Sequence, residues 1–196
     1  MSIILASQSA ARRAVLAGAG VPHLAVTAGV DEDAAKVRLL VEGAGPLEVA
    51  QALAEMKAVE VSRLTEGLVI GADQTLDLEG ELYDKVADVG AARERLQLLR
   101  GKAHRLHSAV VVAEDGRAIW RDVVSATLTM RDFSDIFLED YLAEEGRAAL
   151  GSVGCYRLEG VGAQLFSSIE GDYFAILGLP MMGLLELLRE RGELTA

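Results

Sequence analysis

Leu68-Val69-Ile70-Gly71-Ala72-Asp73 constrains the fold more than any other stretch of this chain. An aliphatic run this short, bounded by turn signals, suits a buried strand, and here the strand closes on a carboxylate. A second short buried strand, Ser2 to Ala6, opens the chain, and the loop Ser7-Gln8-Ser9 leads from it into an Ala/Arg/Leu helix over Ala10 to Ala19, stopped near Gly18 and Gly20. The tract from Val21 to Gly45, with its acidic run Val30-Asp31-Glu32-Asp33, reads as loop-rich. Pro46 then starts a helix that runs to about Leu64, because proline suits a first helical turn.

Beyond Asp73, Thr75 to Leu78 and Glu81 to Tyr83 alternate around Glu79-Gly80, the pattern of a small hairpin. Asp88 caps a helix to Arg100 that Gly101 ends. His104 to Ala113 and Ala118 to Met130 form a longer hairpin turning at Glu114-Asp115-Gly116, and Ser134 caps a helix to about Glu145 with Gly146 beyond it. Gly151, Gly154, Gly160 and Gly162 crowd a segment whose backbone must bend tightly or approach something closely. A strand near Gln164 to Ile169 and a helix from about Met181 to Arg191 complete the chain. Helices interleaved with strands, together with two hairpins, predict an α/β fold with a mixed sheet.

Such a fold needs a core, and 51% apolar residues against 25% charged in 196 residues supply one. No repeat or long linker divides the chain, so one domain over residues 1–196 is expected. No run approaches the roughly 20 apolar residues that cross a bilayer, and the start lacks a charged segment before its short apolar run, which predicts a soluble, unexported protein. The single cysteine, Cys155, cannot form an internal disulfide and points to a reducing compartment, the cytoplasm. A formal charge of −11 with no basic stripe argues against nucleic-acid polymers and anionic membranes as partners. A small anion remains open, since a few cations in one cleft, helped by a divalent metal, outweigh a distant acidic surface. A homodimer is expected on general grounds, as twofold assemblies are the commonest oligomers.

The candidates for chemistry are few. With Ser9 as N-cap, Arg12 and Arg13 fall in the first turn of a helix, where the backbone already carries partial positive charge. A bound anion would resolve the conflict through loop N–H groups, serine hydroxyls and an arginine fork; so would solvation, or an acid elsewhere. Asp73, at a strand end, could hold a metal or take a proton from water, or close a turn. Glu32 belongs to an acidic run of the kind usually found in solvated loops. Lysine is scarce, four against fifteen arginines, and Lys57 and Lys85 sit late in a helix and just after the Asp73 hairpin, as phosphate counter-charges or as surface residues.

Other readings rank lower. His104 and His107 are three apart on a strand and so face opposite ways, with no third ligand beside them, which argues against a histidine metal site. Cys155 has no neighbouring base in sequence and suits a small buried side chain. The glycine tract matches neither a P-loop nor a dinucleotide fingerprint.

Taken in order, these segments resemble the Maf family of nucleoside triphosphate pyrophosphatases, from near Ile4 to near Glu190. Leu5-Ala6-Ser7-x-Ser9-x-x-Arg12-Arg13 is similar to the family's opening, Val30-Asp31-Glu32 to its acidic loop, Leu53-Ala54-x-x-Lys57-Ala58 to its helix lysine and Gly71-Ala72-Asp73 to its strand-end aspartate. Lys85, Gly101-Lys102-Ala103-His104 and the tail from Gly160-x-Gly162 through Glu170-Gly171-Asp172-Tyr173 to Gly178-Leu179-Pro180 follow in the family's order. The resemblance implies an elongated mixed sheet with flanking helices, in two lobes around a nucleotide-binding cleft. It also implies hydrolysis of an NTP to NMP and pyrophosphate with Mg²⁺ or Mn²⁺. Carried over by position, Asp73 is the proton acceptor, Glu32 and Asp73 the metal ligands, and Ser7, Arg12, Arg13, Lys57 and Lys85 surround the triphosphate.

The chain departs from the family pattern at Ala10, Ala11, Val86 and Ala175, none of which removes an ionisable group. Base preference is expected to turn on Ala11, Gln74 and Glu159. With Arg157 nearby, Gln74 and Glu159 resemble the branch that hydrolyses 7-methyl-GTP, and a carboxylate at 159 can accept from the N–H edge of a guanine. The rival expectation is a nucleotide-binding regulator of septum formation that uses the same cleft without turnover.

Overall fold

The computed structural model describes residues 2–195; Met1 and Ala196, the ends of the expected single domain, lie outside the described residues. Its centre is one mixed sheet in the order β2-β1-β3-β5-β6-β7, with β4 also paired to β3. β1 (Ile3–Leu5) runs parallel to β2 (Leu24–Ala25) and to β3 (Leu68–Leu78). The remaining pairs, among β3, β4 (Glu81–Tyr83), β5 (Ala103–Glu114), β6 (Arg117–Met130) and β7 (Phe166–Glu170), are antiparallel. Two-residue turns join β3 to β4 through Glu79-Gly80 and β5 to β6 through Asp115-Gly116, all four residues at positive φ, as right-twisted hairpins require.

Strand β3 corrects one expectation. Asp73 is not at a strand end, because pairing with β5 continues unbroken from Val69 to Asp77, across both the apolar run and the following hairpin strand. What changes at Asp73 is the other neighbour. β1 leaves β3 after Ile70 and β4 joins it at Leu76, so residues 71–75 form an open edge within the sheet. A break in pairing on one side does what a strand end was expected to do.

The sheet's two faces are covered differently. On one face, Leu68, Ile70 and Ala72 pack with α1 (Ala10–Gly18) and α7 (Met182–Glu190). Farther along that same face, Leu76, Leu78, Leu106 and Leu128 pack with α4 (Val89–Leu99), α5 (Asp135–Glu145) and the segment around residues 153–165. Two cores thus share one sheet, the counterpart of the expected two lobes. The opposite face carries α3 (Pro46–Ser62), whose Ala50, Ala54 and Ala58 lie against Ala109, Val111 and Ala113.

A second correction concerns residues 21–45. Glu32–Val41 is a helix, α2, with Asp31 as N-cap accepting from the Ala34 N–H at 3.0 Å and with Glu32 and Asp33 in the favourable first turn. A four-residue helix, α6 (Tyr173–Ile176), capped by Asp172, also escaped sequence reading. Ser9, Asp88 and Ser134 cap α1, α4 and α5 as expected. Among the described residues no helix is long and apolar enough to cross a membrane.

Candidate active site

The open edge of β3 forms the floor of a cleft of about 840 Å³, within the size range of small-molecule sites. Side chains alternate across the sheet, so this edge presents Asp73 to the α3 side and Gln74 to the side of the two cores. Ser7, Ala11, Arg12, Glu32, Lys57, Asp73, Gln74, Lys85 and Glu159 all line the cleft. Arg13 does not; it is exposed on the next position of α1.

Lys57 reaches Asp73 because α3 lies against the backbone of β3. Gly71 makes this possible: a Cβ there would stand 2.2 Å from the Ala54 carbonyl oxygen. The buried Lys57 Nζ then donates to Asp73 Oδ1 at 2.7 Å and pairs with Glu32 Oε2 at 2.8 Å. One ammonium therefore draws two carboxylates, from β3 and α2, to a single point. Asp73 Oδ2 and Glu32 Oε1 carry no hydrogen bond among the described residues and remain open to the cleft.

Two carboxylates converging this way fit a hard divalent cation such as Mg²⁺ or Mn²⁺, which commonly binds through one or two carboxylates together with substrate phosphates. No group of three or more His, Cys, Asp or Glu that could cage a metal occurs among the described residues. The protein's share of such a site would be Glu32 and Asp73.

Arg12 is largely committed. Its Nε donates to the Gly178 carbonyl at 2.8 Å, and its Nη1 donates to the Ala72 carbonyl at 2.9 Å and to Ser7 Oγ at 3.3 Å. The arginine thus satisfies a carbonyl on the open edge of β3 and ties α1 to the turn at Gly178. Burial lowers its pKa despite the opposing charges of Asp73 and Glu32. Ser7 Oγ also accepts from the Ser9 N–H at 3.2 Å, which leaves its own O–H free to donate.

Lys85 is the uncommitted cation: it has no ion pair among the described residues. Desolvation and then the Arg12 charge push its ammonium below the ordinary value, Lys57 adds to this, and Asp73 and Glu32 oppose it. An added anion would relieve that strain. Lys36 also lines the cleft and was not singled out from the sequence; it donates to Asp84 Oδ1 at 2.7 Å. Desolvation opposes its charge, yet the Asp84 bond and the nearby acids hold its pKa above the ordinary value. Glu32 and Lys36 at i, i+4 on an acid-capped helix were the available signal.

The far end of the cleft is more apolar, with Leu106, Val153, Leu158 and Ile176 beside the buried Tyr156. The glycine tract bends tightly on itself here, one of the two outcomes its composition allows: a Cβ on Gly154 would stand 2.1 Å from Tyr156 Cε1, and one on Gly162 2.5 Å from the Arg157 carbonyl oxygen. Gln74 Nε2 donates to Ser108 Oγ at 2.9 Å and to the carbonyls of Ala175 and Ile176 at 3.0 Å, which turns the amide oxygen the other way. Arg157 forks onto the buried Glu145 at 2.8 and 3.2 Å, while Glu159 on the same segment is exposed at the cleft wall. Cys155 is buried and its thiol is pushed up to about 11 by desolvation, which removes it from the list of nucleophiles.

Known proteins match this chain over nearly its whole length. A family model described as "Maf-like protein" matches residues 2–191. The nucleoside triphosphate pyrophosphatase of Caulobacter vibrioides is 61% identical over 193 residues, covering 98% of this chain and 97% of its own. The protein of the same name from Granulibacter bethesdensis is 51% identical over 196 residues, the full length of both chains. The 7-methyl-GTP pyrophosphatase of Rhizobium meliloti is 49% identical over 195 residues, covering 99% of this chain and 98% of its own. With the family model matching nearly its whole length, this chain belongs to the Maf-like protein family.

Proposed function

We propose that this protein is a nucleoside triphosphate pyrophosphatase. It cleaves the bond between the α- and β-phosphates to release NMP and pyrophosphate, and prefers a guanine-like or 7-methylated base. The observation that carries the reading is the Lys57 bridge: two carboxylates held at 2.7 and 2.8 Å from one ammonium, in a cleft that also offers Lys85, Arg12 and the Ser7 hydroxyl. The names of the relatives, pyrophosphatases for nucleoside triphosphates and for 7-methyl-GTP, support the reaction and the base class.

In this reading the open Asp73 Oδ2 accepts the proton of the attacking water while Lys57, bonded to Oδ1, fixes the carboxylate's orientation. Lys85 lies beside the departing pyrophosphate, where its otherwise unpaired charge is neutralised. The Ser7 hydroxyl donates to a phosphate oxygen, and Arg12 keeps the loop carrying Ser7 against the floor of the cleft. A divalent cation, held by Glu32 and Asp73, would supply further neutralisation of charge on the phosphate oxygens. The apolar end near Tyr156 receives the base, with Glu159 and the amide oxygen of Gln74 as its polar contacts. No covalent intermediate is involved.

The test is pyrophosphate release from canonical and methylated nucleoside triphosphates, with Mg²⁺, Mn²⁺ or chelator, for the unaltered protein and Asp73→Asn. Metal-dependent release that the substitution abolishes while binding persists is the expected result. Release that survives Asp73→Asn would remove Asp73 as the base. Calorimetric binding without release from any triphosphate would instead make the protein a regulatory nucleotide binder.

A further inference from the structure

Helix α2 brings Glu32 to the cleft, yet little of α2 is anchored by packing. Ala35 is its only buried residue, and with the partly buried Leu39 it joins a small cluster with Val49, Leu53 and Leu82, while Val37, Leu40 and Val41 are exposed. Polar contacts must therefore set where α2 sits. Two stand on its inner face, one helical turn apart: Glu32 to Lys57 at 2.8 Å and Lys36 to Asp84 at 2.7 Å. The first involves groups that the substrate complex itself would engage, so it cannot also be the permanent fastening. The second joins α2 to the residue immediately before Lys85, and Lys36 is well shielded from solvent, with 17% of its side chain exposed.

We propose that Lys36 and Asp84 are positioning residues. Their ion pair straps the helix that carries Glu32 to the segment that carries Lys85, and so holds one carboxylate and one cation of the cleft in register. Asp33, 3.6 Å from Lys36 but nearly fully exposed, tunes the charge without reaching across the cleft. The role in turnover rests on the pyrophosphatase reading; the mechanical role does not.

The alternative for a cleft-lining ammonium is direct contact with the triphosphate, and the two roles predict opposite effects of Asp84→Asn. A strap loses its anchor, so KM rises. A phosphate ligand loses its competitor, so KM falls or stays.

The experiment uses the full chain in the unaltered form and as Lys36→Met, Asp84→Asn, the double variant and Lys36→Arg. Amide hydrogen exchange over residues 32–41 is measured without nucleotide, alongside kcat and KM for the preferred triphosphate. A half-exposed ion pair leads us to expect exchange and KM each raised about threefold by either neutralising substitution, with kcat changed less. The double variant should be no worse than the singles, and Lys36→Arg should stay near the unaltered protein. Unchanged exchange in Asp84→Asn, or a KM that stays or falls, overturns the strap. Absence of turnover in the unaltered protein would count against the pyrophosphatase reading and leave the exchange result to decide the strap by itself.

Discussion

Gly71 of β3 and Ala54 of α3 meet through their backbones: a Cβ on Gly71 would stand 2.2 Å from the Ala54 carbonyl oxygen and 2.5 Å from the Ala58 nitrogen. Both obstacles are main-chain atoms of the helix that carries Lys57, so no side chain can rotate away to make room. Gly71→Ala must displace α3 itself. The expected destabilisation is about 1–3 kcal/mol, typical of overpacking, read as a lower midpoint in urea. Because Lys57 lies between Ala54 and Ala58, turnover should fall further, on the order of a hundredfold for a displacement of about 1 Å. Turnover that simply tracks the fraction folded would show that α3 does not set the Lys57–Asp73 geometry.

Gln74 tests the seam between the two cores. Its Nε2 serves three oxygens on β5 and α6, and Ser108 Oγ donates to the Ala175 carbonyl at 2.6 Å beside it. Gln74→Glu sets a carboxylate oxygen against two carbonyls that had a donor, and Gln74→Met only removes the donor. Both should lower stability by about 1–3 kcal/mol, the cost of leaving buried acceptors unpaired, with Glu the worse near neutral pH. Acidification that protonates the new carboxyl should narrow the gap between the two. If Glu is the better tolerated at neutral pH, the amide stands the other way round.

How much of this was legible beforehand depended on how locally each feature is determined. The caps Ser9, Asp88 and Ser134 and the turns at Gly80 and Gly116 were readable because a few adjacent residues decide them. The membership of the cleft was also readable, since Ser7, Glu32, Lys57, Asp73 and Lys85 stand in motif order. The interruption at Asp73 was not: it arises from which strands flank β3, a long-range matter that leaves no mark within residues 68–78. The adjacent arginines part company because successive helical positions differ by about 100°. Arg12 turns inward to carbonyls, and Arg13 faces solvent. Helix α2 was missed although its acidic cap was visible, because its weakly amphipathic face buries only Ala35.

The two strand histidines do face opposite ways, and each is a structural fastening. His107 joins Ser125 at 2.7 Å and Asp77 at 3.2 Å, while His104 Nε2 meets the Tyr156 hydroxyl at 2.7 Å and its buried Nδ1 has no hydrogen-bond partner among the described residues.

Desolvation lowers His104 to about 4, from 6.5 when exposed. Between those values the unfolded chain binds the extra proton, so stability rises with pH. The contribution is complete above about pH 6.5 and is lost as pH falls toward 4, amounting to about 3 kcal/mol. Urea midpoints measured from pH 7.5 to 4 should show this slope, and His104→Phe should flatten it. An unchanged slope in the variant would assign the loss to other groups.

In the proposed function Glu159 is the charged contact for the base at the apolar end of the cleft. It is exposed on the wall close enough to feel the charge of Arg157, which is itself held by the buried Glu145, so the segment is anchored while the Glu159 carboxylate accepts no hydrogen bond among the described residues. A guanine presents adjacent N–H donors, and methylation at N7 adds positive charge to the ring; both favour an ionised acceptor over an amide. Glu159→Gln preserves size and removes the charge. It should lower kcat/KM for GTP and 7-methyl-GTP about tenfold relative to pyrimidine nucleotides, in keeping with the loss of one charge-assisted hydrogen bond. The methylated base should suffer more than the plain one, because it loses the attraction between charges as well as the bond. Equal losses across all bases would mean that Glu159 supports the segment without reading the base, and no loss for any base would move selectivity to Gln74 and the backbone near Tyr156.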